Sequence, residues 1–258
     1  MLSKHFSSIW IVPLLLLLVV GINPPETQAE VVSNGSTSNR LSKLKFPRNG
    51  APIGRRRGGA RRDDCLNIKP SITALVPGEE TLYESTSFTA STVSDYPTFW
   101  VYLPKASAIR NGEFVFQDEN STDIYRTPLT LSAKAGVIGI DLPHYPQYAL
   151  KTDNKYQWYF KVFCDSQKKS NYVFVKAWVQ RISPASIVAN QFKMDKSGEY
   201  FTYAVNLIWQ DAITKLAEVR VSSIGNSAVN DDWRSLLKSV GLEDIASAPI
   251  IARYRPQK

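Results

Sequence analysis

His144 is the starting point for any acid–base or nucleophilic chemistry, because the only other histidine of this 258-residue chain, His5, lies in an apolar N-terminal leader. A catalytic triad needs a nucleophile, a base and a third group that orients the base. Here it would have to form around Leu142-Pro143-His144-Tyr145-Pro146, where two prolines mark a turn. No Gly-x-Ser-x-Gly elbow accompanies it, since Gly225-Asn226-Ser227-Ala228-Val229 lacks the final glycine. Zinc sites need several Cys or His ligands, and phosphate-cradling sites need a Walker loop or a dinucleotide fingerprint. This chain has neither set, so no metal or cofactor is expected. Carboxylates remain. Asp118, Glu119 and Asp123 surround Asn120-Ser121-Thr122, an oxygen-rich loop of the kind that can hold calcium. Its spacing is not that of an EF-hand, and a polar hairpin tip between two strands accounts for the same residues. Glycan hydrolysis by paired acids would require two carboxyl groups across a cleft, roughly 5–9.5 Å apart.

The first 29 residues carry an address. Lys4, an apolar run from Ile9 to Ile22 and the exit Thr27-Gln28-Ala29 read as a secretory signal peptide cut after Ala29. The run is interrupted by Pro13 and falls short of the roughly 20 apolar residues that span a bilayer. No cysteine follows it closely enough for lipid attachment, so a periplasmic or extracellular protein is expected, without an integral membrane anchor. In an oxidising compartment Cys65 and Cys164 are expected to form a disulfide. Such a bridge would stabilise the fold by roughly 2–4 kcal/mol.

Charge is unevenly spread. Residues 30 to 62 hold nine Lys or Arg against one acid, Glu30, whereas residues 63 to 258 hold 21 of each sign. The tract 30–62, rich in Gly, Pro, Ser and Arg, is therefore expected to be a disordered basic linker. Arg55, Arg56, Arg57, Arg61 and Arg62 could contact anions. For an exported chain, acidic polysaccharide or an acidic face of an envelope protein suits them better than nucleic acid.

From Ile72 to Ile182 short apolar or alternating runs are separated by turn residues, the pattern of an antiparallel β-sandwich over residues 63–182. The candidate strands are Ile72–Val76, Ser87–Val93, Thr98–Leu103, Glu113–Asp118, Asp123–Leu131, Val137–Leu142, Lys155–Cys164 and Tyr172–Ile182. Period-two alternation sets Tyr156, Trp158, Phe160 and Val162 inward, with Val173, Val175, Ala177 and Val179, and with Phe99, Val101 and Leu103. These three strands read as one sheet. Leu150 stands six residues before Tyr156 at the start of a strand, a spacing that resembles the tyrosine corner of immunoglobulin-like and fibronectin type III domains. The outward residues Trp100, Tyr102, Tyr159, Phe163, Phe174 and Trp178 would form one aromatic surface, which either is covered or binds a partner.

Helices follow over residues 183–258. Ser183-Pro184 opens one that runs to Met194, a second tract extends from Glu199 to Arg220, and a third starts at Asn230-Asp231-Asp232 and stops at Gly241. They are expected to dock on the aromatic surface. Tyr203–Ala212 is similar to the helix-turn-helix unit of tetratricopeptide repeats, with Leu207 where the turn glycine usually stands. The tract therefore reads as a single helix or as two helices about a turn. No second copy follows at a period of about 34 residues, so a solenoid is not supported.

The leader ending at Cys65, Ile-Thr-Ala-Leu-Val-Pro at 72–77, Pro-Thr-Phe-Trp-Val-Tyr-Leu-Pro at 97–104, Phe114–Glu119, Tyr156–Asp165 and Tyr172–Ile182 together resemble an exported cyanobacterial family, domain of unknown function 928. The resemblance implies a bacterial exported protein and supplies no activity or site residues. The reading preferred from the residues is an extracytoplasmic binding module. A carboxylate-dependent envelope glycan hydrolase and a structural envelope component are the alternatives.

Overall fold

The computed structural model of the chain describes residues 36–47, 54–58, 70–81, 85–106, 110–164, 170–183 and 198–255. In chain order they form α1 (Thr37–Leu41), β1 (Thr73–Ala74), β2 (Gly78–Glu80), β3 (Ser85–Ser87), β4 (Thr89–Thr92), β5 (Thr98–Leu103), β6 (Arg110–Asp118) and β7 (Asp123–Leu131). There follow β8 (Gly136–Asp141), β9 (Lys155–Phe163), β10 (Tyr172–Arg181), α2 (Glu199–Val205), α3 (Trp209–Ser222), α4 (Ser227–Lys238) and β11 (Ile250–Tyr254). A five-stranded sheet runs β4-β10-β9-β6-β7, a four-stranded sheet runs β1-β5-β8-β11, and β2 and β3 form a ribbon.

The inward rows read from the alternation meet in one core, as do Phe114 and Phe116. Phe99 is its centre, with its ring centroid 5.1 Å from Phe114, 5.1 Å from Trp158 and 5.7 Å from Phe116. One expectation is corrected here. Strand β5 does not join β9 and β10. It pairs with β1 and β8 in the opposite sheet and faces them across the core. Alternation specifies which face a residue shows and says nothing about which strand lies beside it. The fold is mainly β with helices, two sheets closed on a shared core, but it is not wholly antiparallel. Strand β4 lies parallel to β10, and β11 parallel to β8. The segment expected to be purely helical thus returns a strand to the sandwich.

At the start of β9 the Tyr156 hydroxyl accepts a hydrogen bond from the Lys151 N–H at 2.9 Å, which ties the preceding turn to the strand. In the helical region, the tract from Glu199 breaks into α2 and α3. Leu207 adopts φ 60°, the Leu207 N–H bonds the Ala204 carbonyl at 2.9 Å, and the Ile208 N–H bonds the Tyr203 carbonyl at 2.9 Å. That is a Schellman ending with leucine where glycine is usual, so a true turn exists here. Burial of Ile208 and Trp209 beyond it holds a residue type that pays strain in this conformation. The helix expected from Ser183 to Met194 falls almost wholly outside the described residues.

Helices α1 to α4 lie over the outer face of the four-stranded sheet and share a second apolar cluster with Trp100 and Tyr102. Polar pins fix the layer. Trp209 Nε1 donates to the Leu75 carbonyl at 2.8 Å, Trp100 Nε1 donates to Thr214 Oγ1 at 3.0 Å, and Gln210 Nε2 donates to the Thr98 carbonyl. Asp211, in the first turn of α3, accepts the Val93 N–H at 3.1 Å and so closes the end of β4.

The described part of the basic leader is built into the body. Leu41 of α1 is fully buried, and Phe46 meets Trp209 edge-on at 4.9 Å. Arg55 exchanges two backbone hydrogen bonds with Lys176 of β10, and Arg56 O accepts from Ala74 N–H of β1. The leader therefore stitches the two sheets together along one flank. Arg56 is 1% exposed, with Nε 2.9 Å from Glu80 Oε1 and Nη1 2.6 Å from the Val240 carbonyl and 3.3 Å from the Val76 carbonyl. The expected solvated linker is thus corrected for residues 36–47 and 54–58, because apolar and charge-assisted contacts are available to them.

Two outcomes test these ties. Arg56→Ala leaves two buried carbonyls without donors and a cavity beside Glu80, and is expected to lower the unfolding free energy by about 2–4 kcal/mol in urea titrations. An unchanged midpoint would remove Arg56 from that role. Burial raises the Asp211 carboxyl to about 6, above its unfolded value of 3.8. The native state therefore holds a proton that the unfolded chain releases. Stability from this group is present in acid and is lost as pH rises through about 6. Asp211→Asn should flatten that fall, gaining on the order of 2 kcal/mol relative to the parent at neutral pH. Parallel stability–pH curves for the two proteins would refute the assignment.

Candidate functional site

Of the three carboxylates named from the sequence, Asp118 and Asp123 are occupied, and Glu119 is exposed at the hairpin tip. Asp118 Oδ1 accepts the N–H groups of Asn120 at 2.9 Å and Thr122 at 2.8 Å, which shapes the β6–β7 hairpin tip. Asp123 is bonded by Gln117 at 2.7 Å and by Arg126 at 2.8 Å, and these two partners hold its carboxyl below the usual range. Burial alone would raise Glu113, but Lys161 at 3.0 Å and Arg126 at 2.5 Å pull it down. A glycosidase acid must instead be raised so that it keeps its proton. The carboxyls that are raised, Asp211 and Asp232, sit in the helical layer, where Asp232 accepts the Tyr200 hydroxyl. His144 is exposed and stacks on Tyr96 at 4.7 Å, with no acid bonded to it among the described residues. Among the described residues no group of three or more His, Cys, Asp or Glu is arranged to hold a metal ion.

The six aromatic residues expected to share one surface are divided by the placement of β5. Trp100 and Tyr102 lie beneath the helices and are buried. Tyr159, Phe163, Phe174 and Trp178 stand on the outer face of the five-stranded sheet, on the other side of the molecule's core. The register of β9 and β10 sets them in a chequered array with cations. Phe163 lies opposite Tyr172, Lys161 opposite Phe174, Tyr159 opposite Lys176, and Gln157 opposite Trp178. On the far side of β9, Lys161 lies opposite Glu113.

Ring centroids follow one another at short steps: Phe163 to Tyr172 6.2 Å, Tyr172 to Phe174 6.0 Å, and Phe174 to Tyr159 6.3 Å. Cations sit over the same rings. The Lys176 ammonium is 5.1 Å from the Tyr159 ring and 5.8 Å from that of Trp178, the Arg55 guanidinium is 5.8 Å from Phe174, and Lys161 is 5.4 Å from Tyr172. Lys161 is neutralised by Glu113, whereas Arg55 and Lys176 have no carboxylate partner among the described residues. Tyr159, Phe163, Tyr172 and Phe174 are only half-buried. Trp178 is 5% exposed, and its indole N–H has no acceptor among the described residues.

The anion contacts expected of the arginine run separate in the same way. Arg56 is consumed by the fold, and Arg57 holds Asp244 through two bonds of 2.8 and 2.7 Å. Arg55 alone of the described three is exposed, and it joins the aromatic face. Arg61, Arg62 and Cys65 lie outside the described residues. Cys164 ends the β9 segment, half-buried. The sequence reading missed Tyr172 and Lys176 as members of this surface, although both alternate in the same outward row as Phe174 and Trp178.

A family model described as Domain of Unknown Function (DUF928) matches residues 56–250. No curated protein matches the chain. Among solved structures, an AA10 lytic polysaccharide monooxygenase (LPMO) from Streptomyces lividans aligns at 12% identity over 55% of this chain and 83% of that chain. Its TM-score is 0.25, too low to carry an argument about fold or activity.

Proposed function

The chain belongs to the DUF928 family, and we propose that it is an exported binding module whose five-stranded sheet takes an acidic polysaccharide on its outer face. The observation that carries this reading is the array of four half-buried rings, Tyr159, Phe163, Tyr172 and Phe174, interleaved with Arg55 and Lys176, cations that lack a carboxylate partner among the described residues. Rings of this kind offer apolar faces to the C–H faces of sugars while cations beside them meet carboxylate or sulfate groups. The helices cover the opposite sheet, so the two outer faces of the sandwich differ in kind.

Export rests on the N-terminal leader, cleaved after Ala29. The same destination supports a Cys65–Cys164 bridge that would hold the start of the folded body to the end of β9. The immunoglobulin-like reading of the sandwich is supported by the Lys151-to-Tyr156 hydrogen bond of the proposed tyrosine corner.

Retention of the mature protein on immobilised polygalacturonate, with neutral dextran as control, tests the surface. Lys176→Ala combined with Arg55→Ala should weaken binding roughly fivefold or more, equivalent to about 1 kcal/mol, and reduce its salt dependence. Phe174→Ala should weaken it at both low and high salt. Equal retention of parent and variants, with circular dichroism showing all of them folded, would sink the reading.

A further inference from the structure

A second surface on the molecule also sets aromatic rings beside an exposed arginine. On the flank opposite the leader, the edge strand β7 of one sheet and the edge strand β11 of the other stand apart, leaving a cleft of about 420 Å³ between the sheets. Four tyrosines from separate parts of the chain line it. Tyr125 comes from β7, Tyr145 and Tyr148 from the turn after β8, and Tyr254 from β11. Tyr148 lies 5.2 Å from Tyr125 and 6.2 Å from Tyr145, ring centroid to centroid. Tyr254 bridges the flank by donating its hydroxyl to the Thr130 carbonyl at 2.7 Å. Tyr145 is 44% exposed, so its ring is available to a ligand.

One exposed cation stands at this cleft, Arg255. Asp141, at its wall, is engaged by the Thr98 hydroxyl at 2.7 Å and by Arg253 at 3.0 Å, and Arg253 also holds Glu218 at 2.8 Å. Arg255 makes a longer ion pair with the same carboxylate, at 3.6 Å, and its side chain is 73% exposed at the mouth.

The cleft is also continuous with the aromatic face. Pro128 and Leu129 of β7 border the cleft, and they border a smaller hollow of about 320 Å³ whose other wall includes Phe163 and Glu113. A ligand lying along Tyr172 and Phe163 that passes over Pro128 reaches the tyrosines without leaving the surface. The ridge it crosses suits a peptide poorly, because Pro128 deprives the edge strand of a donor where an added strand would pair.

We infer that the cleft lined by Tyr125, Tyr145, Tyr148, Tyr254 and Arg255 is a second subsite for the same acidic polysaccharide chain, which crosses β7 between the sheet face and the flank. This rests on the proposed reading of the sheet face. A chain long enough to occupy both places gains effective concentration at the second, so affinity should rise with ligand length beyond what the sheet face alone provides.

The test measures affinity of the full mature protein for a galacturonate trimer and for long polygalacturonate, with polyglutamate as an acidic peptide control. Tyr145→Ala and Arg255→Gln, both at exposed positions, should each weaken polymer binding about tenfold and leave trimer binding unchanged. Lys176→Ala should weaken both ligands. If Lys176→Ala weakens binding while the two cleft variants leave polymer affinity intact, the second subsite is wrong and the sheet-face reading stands. If the cleft variants weaken the trimer as much as the polymer, the shared path is wrong. If Lys176→Ala changes neither ligand, the sheet-face reading itself fails. Polyglutamate bound as tightly as polygalacturonate would overturn the assignment to a sugar polymer.

Discussion

Strand β5 is buried at all six positions, Thr98–Leu103, and the rest of the molecule is arranged around that fact. Its odd residues, Phe99, Val101 and Leu103, need one apolar layer, and its even aromatic residues, Trp100 and Tyr102, need another. A strand that is apolar on both faces cannot stand at a surface, so its sheet must be sandwiched. The second sheet supplies one cover and α1 to α4 supply the other. Because the helices are spent on that face, the outer face of the five-stranded sheet keeps its half-buried rings and cations.

The leader illustrates how composition and placement diverge. An arginine-rich stretch with glycines reads as solvated chain, since guanidinium groups are costly to bury alone. Arg56 is nonetheless buried because Glu80 and two main-chain carbonyls meet its fork together, a geometry assembled from β2, the turn after β1 and the end of α4. Its neighbour Arg55 points the other way and stays exposed. The family match begins at residue 56, the position of that buried guanidinium, which agrees with the leader being part of the domain there.

Carboxylate chemistry is constrained by the same accounting of partners. Glu113 and Asp123 share Arg126, and Glu113 also takes Lys161, so these acids stabilise the sheet surface as ionised groups. The acids with raised proton affinity lie among apolar side chains of the helical layer, where Asp211 ties α3 to β4 and Asp232 ties α4 to α2. The cation-paired acids of the sheet surface and the acids of raised proton affinity in the helical layer stand apart and do not make a general-acid pair facing one cleft.

Period-two alternation in residues 98–103, 156–162 and 173–179 was sufficient to assign every inward side chain of those strands, because the pleat alternates with each residue regardless of what lies beside it. The turn at the start of β9 and the stop of α4 near Gly241 were likewise legible, being set by local backbone preference. What the alternation could not supply was the partner of each strand: β5 joined the opposite sheet, two strand pairs ran parallel, and Ile250–Tyr254 returned from the helical tail. Nor could it bring Tyr125, Tyr145, Tyr148 and Tyr254 to one cleft, since they are drawn from three separate stretches of chain. Local sequence governs dihedral preference and facing direction; the choice of neighbours is a long-range competition for buried area, and only the tertiary structure decides it.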